Sequence, residues 1–185
     1  MPLTQLDANT ALIVVDLQKG IVGYPLIDPV GPVIEHSQKL SDVFRQKGLP
    51  VVLVNVAGGA PGRTQQPRPQ RAFPDGWTEL VPELKAQDGD LLVTKHSWGA
   101  FANTDLDAKL KERGVTQVVI TGIATATGVE ATARQAYELG YNVTLVTDAM
   151  TDMRAEAQQY SVTNVFPRLG ETGSTQEVLD LLANR

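Results

Sequence analysis

Residues 118–134, VVITGIATATGVEATAR, decide the fold of this chain. The stretch begins with apolar, β-branched residues, continues with small residues, and then places Val129, Ala133 and Ala136 on one side of a helix. The pattern predicts a buried strand that enters a helix through a tight bend. Open parallel α/β sheets bind ligands at such bends. We expect the backbone N–H groups of this bend to be free to bind an anion or a developing oxyanion.

The alternation of strand and helix continues through the rest of the chain. Apolar runs predict further strands at residues 11–16, 51–56, 91–95 and 143–146, with a short sixth strand at 168–172. Helical periodicity predicts helices at residues 32–47, 104–113, 127–139, 155–165 and 175–183. Such alternation forms right-handed βαβ units. We therefore expect one α/β domain over residues 1–185, with three α/β/α layers around a six-stranded, mostly parallel sheet of order 3-2-1-4-5-6.

The composition narrows the class of partner. A net charge of −5 and the lack of a basic stretch argue against nucleic acid. No apolar run reaches the ~20 residues of a membrane span, and the first residues show no secretory pattern, so we expect a cytoplasmic protein. The chain has no cysteine and only two histidines. Two histidines are too few for a histidine-rich metal site, and we expect neither a metal nor another cofactor.

Residues 57–90 interrupt the alternation. Their first part, GGAPGRTQQPRPQRAFPDGW, is rich in Gly, Pro, Arg and Gln and has no apolar period. Long irregular loops inside a domain are often functional, and we interpret this one as a lid or a dimer arm with a short helix near residues 77–84. A mobile surface loop without a role is the alternative. Phe73 and Trp77 add apolar surface, which favours a homodimer or a higher homo-oligomer.

Two strands end in opposite charges. Asp16 ends the first predicted strand and Lys95 ends the third, so both belong to the ligand-binding edge of a parallel sheet. A half-buried carboxylate there has its pKa raised by desolvation and can serve as an acid or base. Lys95 could pair with Asp16 or hold an anionic substrate group. The alternatives are a solvated aspartate that caps a turn and a surface lysine.

The bend resembles the signature of the isochorismatase-like, or cysteine hydrolase, superfamily, in which the pattern G-x-x-T-x-x-C-V-E-x-T-A-R carries a nucleophilic cysteine. Here residues 122–134 read GIATATGVEATAR, and Gly128 stands at the cysteine position. The segments VVDLQKG around Asp16, VTKHSWGAF around Lys95 and VFPRLGETGSTQEVL near the end also resemble family motifs. The resemblance covers nearly the whole chain and implies an isochorismatase-like, Rossmann-type fold and a hydrolase.

The resemblance also implies roles for residues. Asp16, Lys95 and position 128 correspond to the family's catalytic triad, and a cis peptide bond is expected in the Ala124–Thr125 region. The metal-binding nicotinamidases carry a D-x-H motif after the second strand, where this chain has Asn-Val-Ala at residues 55–57, so no metal is expected. The side chains expected to bind substrate follow the three motifs: Gln18, Trp98, Phe101, Ala124, Thr125 and Thr127.

Gly128 removes the covalent mechanism, because acyl transfer through an intermediate needs a thiolate or an activated hydroxyl. Thr127 is a poor substitute, since one position along a helix turns the side chain by about 100°. The resemblance implies another route, because isochorismatases with a small residue here hydrolyse a vinyl ether by proton donation from the aspartate. Asp16 is then the general acid, Lys95 its electrostatic partner, and the substrate a small, anionic metabolite. A catalytically silent small-molecule binder and a pseudoenzyme that serves as an oligomeric interaction module are the alternatives.

Overall fold

The structure is a computed structural model that describes residues 3–66 and 72–184. One sheet contains the strands β1 (Thr10–Val15), β2 (Val51–Val56), β3 (Leu91–Lys95), β4 (Gln117–Ile123), β5 (Asn142–Thr151) and β6 (Glu171–Gly173). Their order is β3-β2-β1-β4-β5-β6, and the strands pair in parallel throughout this sheet. The order reverses beside β1, so β1 and β4 are neighbours at the topological switch point.

Helices connect the strands. The α-helices of the described residues are α1 (Lys19–Val22), α2 (Val30–Gln46), α3 (Leu106–Glu112), α4 (Glu130–Glu138), α5 (Ala155–Tyr160), α6 (Phe166–Leu169) and α7 (Thr175–Ala183). A 3-10 turn covers Pro82–Leu84, and π-helical turns cover Thr125–Val129 and Ser161–Val165. The π turns run directly into α4 and α6.

The two faces of the sheet form two apolar cores, which explains why the central strands are apolar throughout. Along β1, Ala11, Ile13 and Val15 belong to one core, while Leu12 and Val14 belong to the other, as the alternation of side chains in a strand requires. Helices α3, α4 and α6 supply residues to the first core, and α2 and α7 supply residues to the second. Every residue of β1 and β4 is buried, so this is a three-layer α/β/α arrangement.

The predicted α/β class and strand order are confirmed, and the differences concern the ends of elements. The sixth strand is Glu171–Gly173 and not residues 168–172, because residues 168–169 still belong to helix α6. Helix α2 begins at Val30 and not at Pro32. Proline is tolerated in a first helical turn, where its missing N–H has no partner to lose.

Gly122 brings β4 into close contact with β1. Its φ is +119°, and a Cβ at this position would lie 2.0 Å from the carbonyl oxygen of Val15, so a side chain cannot be accommodated. The Ile123–Ala124 peptide bond that follows is cis, one bond before the region in which a cis bond is expected from the sequence. The close approach sets the bend after β4 beside the end of β1, where Asp16 lies.

Candidate active site

Asp16 follows β1 in a backbone conformation that few residues adopt. Its φ is +53°, in the left-handed region where Asp and Asn are tolerated better than most side chains. The residue is 5% exposed. Oδ2 accepts a hydrogen bond from the Lys95 Nζ at 2.7 Å, whereas Oδ1 is buried and has no hydrogen-bond partner among residues 3–66 and 72–184. A buried acceptor without a partner is costly, and such groups are concentrated at functional sites.

Lys95 ends β3 and reaches Asp16 across the end of the intervening strand β2. In the parallel register, Lys95 pairs with Val56, the last residue of β2. Its ammonium donates to Asp16 Oδ2 and, at 3.1 Å, to the carbonyl oxygen of Ser97. The side chain is 2% exposed. The alternatives of a surface lysine and a solvated aspartate are therefore wrong, and the two charges form a buried ion pair.

The environment of Asp16 raises the pKa of its carboxyl group to about 6, from an ordinary value of 3.8. Burial is the larger cause, because it disfavours the charged form. The charge and the hydrogen bond of Lys95 act in the opposite direction and lower the pKa. A carboxyl group with a pKa near 6 can either donate or accept a proton near neutral pH. Asp16 is therefore suited to act as an acid or as a base.

The backbone N–H groups of the bend around Gly128 make more hydrogen bonds within the protein than the sequence suggests. The N–H groups of Thr127 and Val129 both donate to the carbonyl oxygen of Ala124, each at 3.1 Å, and the N–H of Ala126 donates to Asp152 Oδ2 at 2.8 Å. The expectation of free N–H groups is therefore wrong for these three residues. The reason is that the helix starts with a π turn, whose first N–H groups bond within the bend and to Asp152.

A cavity of about 370 Å³ opens between Asp16, Lys95 and Gly128. Its volume lies at the lower end of the range for small-molecule sites. The remaining lining residues are mostly apolar or aromatic, namely Ile21, Tyr24, Val56, Gly58, Phe73, Trp77, Ser97, Trp98, Ile123, Ala124, Thr127 and Met153. The predicted meeting of the acid, the lysine and Gly128 at one pocket thus agrees with the geometry.

Comparison with known proteins identifies the family. Residues 10–177 match the Isochorismatase domain family. The chain belongs to the isochorismatase family. It is 43% identical to the isochorismatase family protein YwoC of Bacillus subtilis, over 93% of each chain. It is 31% identical to the ureidoacrylate amidohydrolase RutB of Pseudomonas savastanoi pv. phaseolicola, over 95% of this chain and 84% of that protein.

A solved structure shows the same fold in this family. The isochorismatase family protein from Burkholderia thailandensis superposes with a TM-score of 0.92 and 39% identity, over 97% of this chain and 98% of that one. The expected family and its α/β fold are therefore confirmed, and a hydrolase is the class of protein to which the family belongs.

Three of the residues expected to bind substrate in this isochorismatase-family site line the cavity, namely Trp98, Ala124 and Thr127. The other three, Gln18, Phe101 and Thr125, do not line it. Gln18 is fully buried and bonds to the backbone. Phe101 packs in the core under β1, and the Thr125 hydroxyl donates to Gln158 Oε1 at 2.9 Å. Their side chains have structural partners instead of an open face toward the cavity.

The aromatic wall, Phe73 and Trp77, is the part of the site that sequence reasoning did not assign. The two rings stack with centroids 4.0 Å apart and planes inclined by 12°. The carbonyl oxygen of Trp77 accepts from the N–H of Gly20 at 3.0 Å and from Gln18 Nε2 at 3.2 Å. Asn55 Nδ2 donates to the carbonyl oxygen of Thr78 at 2.8 Å. This part of residues 57–90 is therefore hydrogen-bonded to the loop after β1 and to β2, and the interpretation of the segment as a lid or a dimer arm stays a prediction.

Neither a metal-binding cluster nor a membrane-spanning helix is found in the described parts of the chain. Residues 3–66 and 72–184 contain no group of three or more His, Cys, Asp or Glu side chains placed to hold a metal ion, and the absence of a metal remains a prediction. Among the same residues, no helix is long and apolar enough to cross a membrane.

Proposed function

We propose that this isochorismatase-family hydrolase cleaves a small vinyl ether without a covalent intermediate, with Asp16 as the general acid. The observation that carries the proposal is the asymmetry of the Asp16 carboxyl group. Oδ2 is held by Lys95, while Oδ1 is buried and has no partner in the described chain. Oδ1 is therefore the carboxyl oxygen that Lys95 does not hold, and a proton on the carboxyl group would reside there. The pKa of about 6 supports the same role.

The chemistry begins with proton transfer to carbon. The proton on the Asp16 carboxyl group moves to the terminal vinyl carbon, and the π electrons of the C=C bond form the new C–H bond. The neighbouring carbon becomes an oxocarbenium ion that the ether oxygen stabilises with a lone pair. Water adds to that carbon and returns a proton to the Asp16 carboxylate. The resulting hemiketal separates into a carbonyl compound and an alcohol, so that the net change is the addition of one water molecule.

Lys95 has an electrostatic role in this scheme. When Asp16 has given up its proton, the ammonium 2.7 Å from Oδ2 stabilises the carboxylate that forms. The same ammonium limits the rise of the Asp16 pKa that burial causes. Without Lys95 the carboxyl group would hold its proton more tightly and would be a weaker acid.

Amide hydrolysis of the kind that the name of the RutB relative describes is the second candidate, and the chemistry of the lining residues disfavours it. The chain has no cysteine. Besides the phenol of Tyr24, the hydroxyls that line the cavity belong to Ser97 and Thr127. The Ser97 hydroxyl donates to the carbonyl oxygen of Gly99 at 3.2 Å. An activated nucleophile needs a base within hydrogen-bonding distance, and the Ser97 hydroxyl has no such partner in the described chain.

We also propose that the protein is a homodimer or a higher homo-oligomer. Large apolar side chains are exposed at the cavity mouth and on the helices, among them Trp98 and Tyr160, which are 68% and 63% exposed. Exposed apolar surface of this kind often marks an interaction site. Light scattering tests the proposal, and a mass near that of one chain, 19.9 kDa, at all concentrations would refute it.

Turnover of defined compounds tests the proposed activity. Purified protein is incubated with isochorismate, with simple vinyl ethers and with small amides, and products are separated by chromatography. We expect hydrolysis of a vinyl ether and not of an amide. The D16N variant should be slower by about 10²–10⁴-fold, the usual contribution of a general acid. Binding without turnover would favour a silent binder, and neither binding nor turnover would favour an interaction module.

A further inference from the structure

Asp152 is a buried carboxylate that the proposed reaction does not use. Three charged residues among those described are exposed by 5% or less, namely Asp16, Lys95 and Asp152. The first two form the ion pair of the site. In the part of the chain that the structure describes, the carboxylate oxygens of Asp152 accept only from backbone N–H groups. Taking a charge out of water is costly, so the burial of Asp152 indicates a specific role.

Asp152 is fixed on three sides at the carboxyl end of β5. It directly follows the last residue of that strand. Its Oδ1 accepts from the N–H of Arg154 at 3.1 Å, just before α5 begins, and its carbonyl oxygen accepts from the N–H of Ile27 at 2.9 Å. Its Oδ2 accepts from the N–H of Ala126 at 2.8 Å. A side chain held in this way can serve as a fixed anchor for the bend after β4.

The bend after β4 has internal hydrogen bonds that preserve its shape but do not set its position in the protein. Two of its N–H groups donate to the carbonyl oxygen of Ala124. The N–H of Ala126 instead donates to Asp152, which lies at the end of the neighbouring strand. The hydroxyl of Thr125 adds a bond to Gln158 on α5 at 2.9 Å. Asp152 therefore ties the backbone of the bend to the sheet.

The position of the bend affects how well Asp16 is shielded from water. A Cβ built on Gly128, within the bend, would lie 3.2 Å from Asp16 Oδ2, so the bend covers this side of the carboxyl group. Burial is the larger cause of the raised pKa of Asp16. Lys95 is the other charged residue among the described lining residues, and it lowers this pKa. A bend that moved away would admit water and return the pKa toward 3.8.

We propose that Asp152 is a positioning residue of the site, which holds the bend against Asp16 through the N–H of Ala126 and keeps the acid shielded from water. The inference rests on the proposed function, because it names what maintains Asp16 as the acid of that site. Asp152 does not line the cavity, so it acts through the bend and not on the substrate.

Stability measurements test the inference without a substrate. The free energy of unfolding is measured at pH 5 and pH 7.5 for the wild type, D16N, D152S and the double variant D16N/D152S. The first two proteins give the contribution of Asp16 to the pH dependence, and the last two give the same contribution without the anchor. We expect D152S to reduce this contribution by about half, because the folded-state pKa of Asp16 moves toward 3.8. An unchanged contribution would overturn the inference.

Two further variants separate the hydrogen bond from a general loss of stability. D152N keeps a side-chain oxygen that can accept from Ala126 and should retain most of the Asp16 contribution. If D152N lost as much as D152S, the charge of Asp152 would be responsible and the inference would be wrong.

D148S is the matched control. Asp148 lies on the same strand and accepts from the N–H of Thr175 at 2.7 Å, at the start of α7. D148S should lower stability and leave the Asp16 contribution unchanged. A reduction equal to that in D152S would show a general effect of destabilisation and would also overturn the inference.

Amide hydrogen exchange of the wild type gives a test that does not depend on the folding of a variant. The N–H of Ala126 should exchange slowly, like those of the buried strand β4, because Asp152 holds it. Rapid exchange at Ala126 would show that the bend is not held, and the inference would be wrong.

The outcome is separable from that of the proposed function. If D152S reduces the Asp16 contribution but the wild type hydrolyses no vinyl ether, the hydrolase proposal fails alone. If vinyl ethers are hydrolysed and D152S leaves the Asp16 contribution unchanged, the inference fails alone. If both hold, D152S should also lower the pH at which kcat/KM falls by about one unit.

Discussion

Gly128 and Asp16 lie so close together that a side chain on Gly128 would contact the acid. A Cβ built on Gly128 would lie 3.2 Å from Asp16 Oδ2, 3.2 Å from Val15 Cγ1 and 3.3 Å from the carbonyl oxygen of Ile123. These distances are shorter than most Cβ contacts, so the neighbours would have to move by a few tenths of an ångström. Gly128 does not have a positive φ, so its backbone does not require glycine. The space beside the acid is what a side chain would remove.

Substitution of Gly128 should therefore impair proton donation. We expect G128A and G128C to reduce vinyl-ether hydrolysis about tenfold or more and to lower the free energy of unfolding by about 1–3 kcal/mol, the usual cost of overpacking. Initial rates and urea denaturation measure the two effects. G128A separates crowding from thiol chemistry, and similar losses in both variants are expected. A G128C variant that retains the wild-type rate, or that hydrolyses amides through an acyl-enzyme, would contradict the proposed mechanism.

The pH dependence of the reaction should report Asp16. The protonated carboxyl group is the active form, so kcat/KM should fall as pH rises through about 6. The K95M variant lacks the ammonium whose charge and hydrogen bond lower the pKa of Asp16. The midpoint should then move to higher pH by about 1–3 units, the usual effect of one close opposite charge. Circular dichroism establishes that the variant is folded. A rate that rises with pH through this range would identify Asp16 as a base.

Asp16 should also make stability depend on pH. Its folded-state pKa of about 6 exceeds the ordinary value of 3.8 expected for the unfolded chain. The folded protein therefore holds more protons between these values, and the free energy of unfolding falls as pH rises through them. Linkage with these two values gives a loss of about 1 kcal/mol between pH 5 and pH 7.5.

Chemical denaturation of the wild type and D16N at both pH values checks this sign. The other titratable groups are common to the two proteins, so the difference between their pH slopes isolates Asp16. The wild type should lose more stability than D16N between pH 5 and pH 7.5. Equal slopes would mean that the pKa of Asp16 does not differ between the folded and unfolded states.

The sequence predicts the sheet and the meeting of Asp16 and Lys95 for the same physical reason. Strands buried on both faces are continuous apolar runs, and the first polar residue after such a run lies at the ligand-binding edge. Asp16 meets this condition, and Lys95 lies at the same edge because it is the last residue of the third strand. Their 2.7 Å contact across the end of β2 follows from the strand order, which brings β1 and β3 to either side of that strand.

The sequence does not predict the aromatic wall or the internal bonding of the bend. Trp77 lies in an irregular segment, and its position depends on hydrogen bonds from Gly20 and Gln18, which are distant in sequence and carry no periodic pattern. The N–H of Ala126 bonds to Asp152 after β5, a contact that appears only when the strand order is realised. Local patterns define elements, whereas these contacts are set by tertiary structure.

The last prediction concerns Gln18. A substitution of this residue should have different effects if its side chain binds substrate, as expected from the sequence, than if it makes only the contacts that are observed. The side chain is fully buried. Its Oε1 accepts from the N–H of Val56 at 2.7 Å, and its Nε2 donates to the carbonyl oxygens of Val56 and Trp77 at 3.0 and 3.2 Å. Gln18 thus joins the end of β2 to the aromatic wall. These contacts indicate that Gln18 positions the aromatic wall and does not bind substrate.

The Q18M variant keeps the approximate size of the side chain and removes all three hydrogen bonds. We expect the free energy of unfolding to fall by about 1–3 kcal/mol, because buried backbone groups lose their partners. Tryptophan fluorescence should change in the protein without any ligand, since Trp77 is no longer held against the loop after β1. Q176M, which loses one exposed contact to Asp180 on α7, should leave stability and fluorescence unchanged. A Q18M protein with wild-type stability and fluorescence but a raised KM for the vinyl ether would instead show that Gln18 contacts the substrate directly.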